Sequence, residues 1–170
     1  MKLAWNVASR QALLLVVGIV LVHGVAGAAG GGGGGDAGNA RQDPALATAV
    51  QLVQTRQYER AVPLLEDVIR RDPRNADAYN WLAYATRKNG DPAKAIPIYQ
   101  KALELDPRHL GAHEYIGEAY LALDDLAHAK EHLKRLDKLC LFSCEEYRDL
   151  KKAVQAYEKS NGAVKPAAAR

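Results

Sequence analysis

From residue 42 to residue 160 apolar positions recur at helical spacing, in amphipathic stretches of about 13 residues parted by short polar breaks. The breaks include Thr55-Arg56-Gln57, Asn89-Gly90-Asp91 and Asp124-Asp125. Asp43-Pro44 and Asp91-Pro92 read as helix starts, with aspartate capping the helix and proline placed where no backbone N–H is missed. Pro63 and Pro97 fall inside helical stretches, where each removes one backbone bond and should bend its helix slightly near the start. The last stretch carries Tyr147, Leu150, Ala153, Val154 and Tyr157 on one stripe, with Glu146, Arg148, Lys151 and Lys152 mostly off it.

The stretches repeat. Ala61, Ala95 and Ala129 are 34 residues apart, and so are Pro73 and Pro107; segments 58–65, 92–99 and 126–133 align. The three alanines must be small for paired helices to approach, and larger residues such as Tyr79, Leu82 and Tyr99 fill the space between pairs. No single pair can bury its apolar face, so about three pairs and a cap are the minimum for stability.

In the central copy Tyr79, Leu82, Ala83, Gly90, Ala95, Tyr99, Ala102 and Pro107 follow the order large, large, small, turn, small, aromatic, small, stop. With that pattern the chain resembles the tetratricopeptide repeat (TPR) family. The third copy matches at Ile116, Gly117, Tyr120, Ala129 and Leu133 and lacks the final proline, while the first has Ala45 where a large residue is usual. The resemblance implies an all-α, right-handed solenoid of three helix-turn-helix repeats (42–75, 76–109, 110–143) with a capping helix at 144–160. The stretch 136–157 resembles the ending of a group of exported bacterial TPR proteins.

Upstream of the repeats the chain reads as an address and a tether. Lys2 and Arg10 flank an apolar run at 12–22, and Ala26-Gly27-Ala28 is a small-residue exit, together describing a secretory signal over 1–28 cleaved near Ala28. The alternative is a retained anchor, but the run of about eleven residues falls short of the roughly 20 that span a bilayer. No stable membrane insertion is expected once the signal is removed. Residues 29–41 are a glycine-rich linker and 161–170 a loose tail. The expected location is periplasmic or secreted.

Composition narrows the function. Alanine-rich sequence with 6% aromatics favours packed helices over sheet. The formal charge of +3 owes two bases to the leader, which carries no acid, so the remainder is nearly neutral. A nucleic-acid partner, which needs a concentrated basic surface, is not expected. The glycine run 30–35 precedes no strand and lacks the lysine of a phosphate-binding loop, and no serine sits in a nucleophile elbow. Neither an enzyme nor a cofactor is expected.

Cys140 and Cys144 close the repeat region. In an exported protein their default is a disulfide pinning the last repeat to the cap, with a break near Phe142; a redox pair or soft-metal site is the alternative. His109 and His113, and His128 and His132, have the four-residue spacing of shared metal ligation. Without a nearby carboxylate or thiolate they make an incomplete site. His113 reads as core, His109 as a turn residue, and His128 and His132 as solvated, so no metal is expected.

The resemblance places the binding surface on the first helix of each pair. Groove positions carry over to Leu46, Val50 and Val53 in the first repeat, and to Asp77, Asn80, Trp81, Tyr84, Arg87 and Lys88 in the second. Those in the third are Glu114, Tyr115, Glu118 and Leu121. Trp81, Tyr84, Tyr115 and Arg87 have hot-spot chemistry. Leu46, Val50 and Gly111 replace residues of the family's carboxylate-clamping subclass, so the expected ligand is an apolar or mixed peptide, or a helix. The function implied is non-catalytic protein–protein interaction, as a periplasmic adaptor or assembly factor for an envelope complex, with self-association left open. The alternative is a metal- or thiol-handling chaperone using Cys140 and Cys144 with His128 and His132.

Overall fold

The computed structural model describes residues 43–160. The signal, the linker and the tail read from the sequence lie outside the described residues. Seven α-helices are described, in the order α1 (Pro44–Gln54), α2 (Tyr58–Arg71), α3 (Ala76–Lys88), α4 (Pro92–Leu105), α5 (Leu110–Ala122), α6 (Leu126–Leu139) and α7 (Glu145–Lys159). The chain is an all-α repeat solenoid: α2, α4 and α6 start 34 residues apart, and so do α3 and α5. Among the described residues no helix is long and apolar enough to cross a membrane.

Local chemistry sets these boundaries. Asp43, Asn75, Asp91, His109 and Asp125 each accept a hydrogen bond from a first-turn backbone N–H, satisfying donors that a helix start leaves orphaned. Within each repeat the turn between paired helices places its second residue in the left-handed region: Arg56 at φ 60°, Gly90 at 95° and Asp124 at 63°. The following N–H then reaches back to Leu52, Thr86 or Tyr120, the closing bond of a Schellman-type cap. Helices α2 and α4 continue through Pro63 and Pro97.

The alanines act as the spacing requires. Ala61, Ala95 and Ala129 are fully buried, and Leu65 and Tyr99 lie buried one turn further along. Each helix packs on its partner and on the next pair. The first helices α1, α3 and α5 touch one another, whereas successive second helices scarcely meet. The array therefore curves toward α1, α3 and α5, which form its concave face.

The capping helix breaks this rule. The turns ahead of α3 and α5 have four residues (72–75 and 106–109), but the turn ahead of α7 has five, 140–144. Ser143 takes φ 51° there, and Cys144, at the capping position, makes no side-chain bond to the helix start. The Cys140 and Cys144 sulfurs lie 2.00 Å apart, with Cα atoms 5.5 Å apart, within disulfide range. Helix α7 consequently rests more on α5 than on α6, reversing the order seen at both earlier joints. Gly117 makes room for it, since a Cβ there would fall 2.6 Å from a Leu150 methyl carbon.

Candidate functional site on the concave face

The midpoint of the concave face is an aromatic cluster built by α3 and α5. Trp81 and Tyr84, three apart on α3, meet edge to face at 5.8 Å between ring centroids, and Tyr84 meets Tyr115 of α5 at 4.8 Å. All three residues are half-buried. Gly111, on the α5 turn preceding Tyr115, lies alongside the tyrosine ring, which stands 3.5 Å from where a Cβ would be, an ordinary van der Waals distance.

Behind the rings lies a buried charge. Arg87 is 5% exposed, with its guanidinium carbon 5.3 Å from the Tyr84 ring centre and 5.9 Å from that of Tyr115, within cation–π range of both rings. Its Nη2 lies 2.7 Å from Glu118 Oε2, an ion pair set off the N–H direction. Arg87 Nε, Asn80 Oδ1 and the Tyr99 hydroxyl are buried without a well-formed hydrogen bond. Burial alone would lower the pKa of Arg87, but Tyr99 and Glu118 outweigh it and hold the guanidinium charged. Lys88 stands over the outer face of Tyr84 at 5.5 Å. Burial and the neighbouring Arg87 lower its pKa.

The third-repeat end of the face is acidic and partly roofed by α7. Burial, aided by the negative charges of Glu118, Asp149 and Glu146, pushes the Glu114 carboxyl up to about 8. At neutral pH Glu114 is therefore protonated more often than not.

The structure sorts the groove residues read from the sequence. Trp81, Tyr84, Lys88, Tyr115 and Glu118 keep partial exposure, as do Val50 and Asp77. Asn80, Arg87 and Glu114 lie beneath the surface as supports. Leu46, Val53 and Leu121 do not face the groove; all three are core residues. Leu46 and Val53 pack into the cluster shared by the first two repeats, and Leu121 into the one formed with α7. Asp77 is engaged too, 3.1 Å from Nε2 of His109, whose Nδ1 caps α5. His109 is thus more than a turn residue: it is the helix cap equivalent to Asn75, 34 residues earlier, and that equivalence is the signal in the sequence that marks it.

The remaining histidines form a separate cluster between α5 and α6. His113 Nε2 lies 3.1 Å from the Pro107 carbonyl and donates to it, leaving Nδ1 to accept from His132 Nδ1 at 2.9 Å. The Tyr120 ring stacks on His128 and His132. His132 is thus not a solvated outer-face residue: the packing of α6 on α5 sets it against His113, and burial, with the charges of His113 and Arg135, lowers its pKa to about 4. Burial lowers His113 as well. In unfolded chain both imidazoles take up protons near pH 6.5, so acid favours unfolding. Stability should fall by about 1–2 kcal/mol as pH drops from 6.5 toward 4, and His132→Gln should flatten that slope in urea titrations followed by circular dichroism. Among the described residues no group of three or more His, Cys, Asp or Glu converges as a metal site would.

Two family models, both described as tetratricopeptide repeat, match residues 46–109 and 86–154. Together they span well over half of the chain. The chain belongs to the tetratricopeptide repeat family. Among solved TPR structures it resembles MamA from Desulfovibrio magneticus RS-1 at 32% identity, covering 56% of this chain and 54% of that one with a TM-score of 0.54. It thus spans only about half the length of that MamA structure. The Yersinia enterocolitica type III secretion translocator chaperone SycD shares the fold at 18% identity, covering 72% of this chain and 85% of SycD, with a TM-score of 0.63. So does the first TPR of Spaghetti (RPAP3) bound to the HSP90 peptide SRMEEVD, at 23% identity over 66% and 89% of the two chains, with a TM-score of 0.59. No curated protein matches the sequence.

Proposed function

We propose that this TPR protein is a non-catalytic interaction module that holds a partner's peptide or helix against α3 and α5. The observation carrying this reading is the half-exposed Trp81–Tyr84–Tyr115 cluster on the concave face, fixed from behind by buried Arg87. Rigid aromatic rings give contact area at low entropic cost, and pre-set rings lose less freedom on binding. The RPAP3 repeat of the same fold holds a peptide, which supports a peptide ligand here. The ligand side chains that suit this face are apolar or aromatic near Trp81, and cationic toward Glu118. The leader at 1–28 supports a periplasmic setting, and an adaptor or assembly role for an envelope complex.

The test starts from a random peptide library displayed on phage, with the winning peptide titrated against the protein. Tyr84→Ala and Trp81→Ala should each weaken that peptide at least about thirtyfold, the measure of a hot spot. Circular dichroism checks that both variants are folded. Peptides that bind both variants as tightly as wild type would place the binding surface elsewhere.

A further inference from the structure

Two large apolar side chains stand almost wholly in solvent, Leu141 at 88% and Phe142 at 96% exposure. Among the described residues the next most exposed large apolar side chain, Leu123, is at 41%. They occupy the turn between α6 and α7, where the equivalent turns carry Asp72-Pro73-Arg74-Asn75 and Asp106-Pro107-Arg108-His109. The Cys140–Cys144 link closes the base of this turn, so the pair is held out as a knob rather than left to collapse onto the protein.

Along the same helical hairpin runs a groove that nothing among the described residues fills. Its cavity is about 390 Å³, floored by Leu133, Tyr147 and Val154 and rimmed by Lys134, Lys151 and Asp137. A Lys130–Glu158 ion pair at 2.6 Å bridges one end. The groove is broadly open to solvent, and its volume is enough to accommodate a leucine and a phenylalanine side chain. The knob does not fill its own groove, as its exposure shows.

We propose that the Leu141–Phe142 knob docks into the α6–α7 groove of a second copy of this chain, pairing the two about a two-fold axis. Knob and groove belong to one helical hairpin, so a single two-fold operation forms both contacts at once and the assembly closes as a dimer. Charge favours the same partner: Glu145, next to the loop, brings a carboxylate to a rim where, the Lys130–Glu158 pair aside, Lys134 and Lys151 outnumber the carboxylate of Asp137. The contact is small beside a standard interface, so the dimer is weak and concentration-dependent. It leaves the concave face free, and stands or falls independently of the peptide-binding reading.

Two measurements on the full-length chain test this. Sedimentation equilibrium should show a reversible monomer–dimer balance, and Phe142→Ser should weaken it about a hundredfold, roughly tenfold for each of two symmetric contacts. Lys134→Glu/Lys151→Glu should weaken it too, and adding Glu145→Lys should restore it. For the second, photoreactive benzoylphenylalanine replaces Phe142 in a mixture of light and nitrogen-15 chains. Crosslinks between light and heavy chains at 130–137 or 147–158 are expected. A chain that stays monomeric overturns the proposal, as does a dimer indifferent to Phe142→Ser. Crosslinks confined to one chain, including its 161–170 segment, or landing on lipid overturn it equally.

Discussion

Arg87→Ala is expected to destabilise the protein by about 3–5 kcal/mol, the usual cost of breaking a buried ion pair from one side. The guanidinium is the positive charge lodged beside the touching rings of Tyr84 and Tyr115 and against Glu118. Its removal leaves the carboxylates of Glu118 and its neighbours facing one another across a half-buried space, and leaves a void behind two aromatic rings. The midpoint of thermal unfolding should fall by roughly 10–20 °C. Arg87→Lys keeps a charge but not the planar group that lies over both rings, so it should recover less than half of the loss. Urea unfolding monitored at 222 nm, a conventional far-ultraviolet wavelength for helix, reads both variants. A loss below about 1 kcal/mol for Arg87→Ala would mean the ion pair is exposed enough for water to replace it.

Glu114→Gln is expected to do the opposite, and its effect should grow with pH. The carboxyl titrates near its ordinary 4.5 in unfolded chain but near 8 in the folded protein. Between those values the folded state holds a proton that the unfolded state has released, so stability is full below 4.5 and declines as pH rises to 8. Glutamine has no proton to lose and keeps nearly the same shape. The variant should match wild type near pH 4.5 and exceed it by about 3 kcal/mol at pH 8.5. Unfolding curves collected across that range supply the comparison. Parallel pH profiles for the two proteins would show that Glu114 reaches water, through movement of α7, before the chain unfolds.

The repeat itself was legible because its cause is local. Ala61, Ala95 and Ala129 are small where helices touch, and Asp91-Pro92 starts a helix by chemistry confined to two residues; spacing along the chain reports both directly. The fold's TPR character followed from that period. The site was legible only as a helix face. Trp81, Tyr84 and Tyr115 sit on the concave side with partial exposure, but nothing in the spacing distinguishes them from Asn80 and Arg87, which are buried on the same helix as Trp81 and Tyr84. Which member of a face is covered depends on the neighbouring helix, and that is not written in the face's own residues. Leu121 and Glu114 are buried among residues brought near by α7, whose swing comes from one extra residue in a distant turn. His132 was misread for a similar reason: its partner, His113, lies on another helix and 19 positions back.

That extra residue also decides where the array can grow. A further helix pair stacks on an existing one only if it inherits the register set by the four-residue turns before α3 and α5. Helix α7 has left that register, and its Leu150 occupies the space at Gly117. Copies appended after residue 160 would meet a surface of the wrong pitch, whereas a copy of the central unit spliced in at residue 110 would find matching neighbours on both sides. For anyone lengthening the groove, the protein is a module with an open seam in its middle and a terminator at its end.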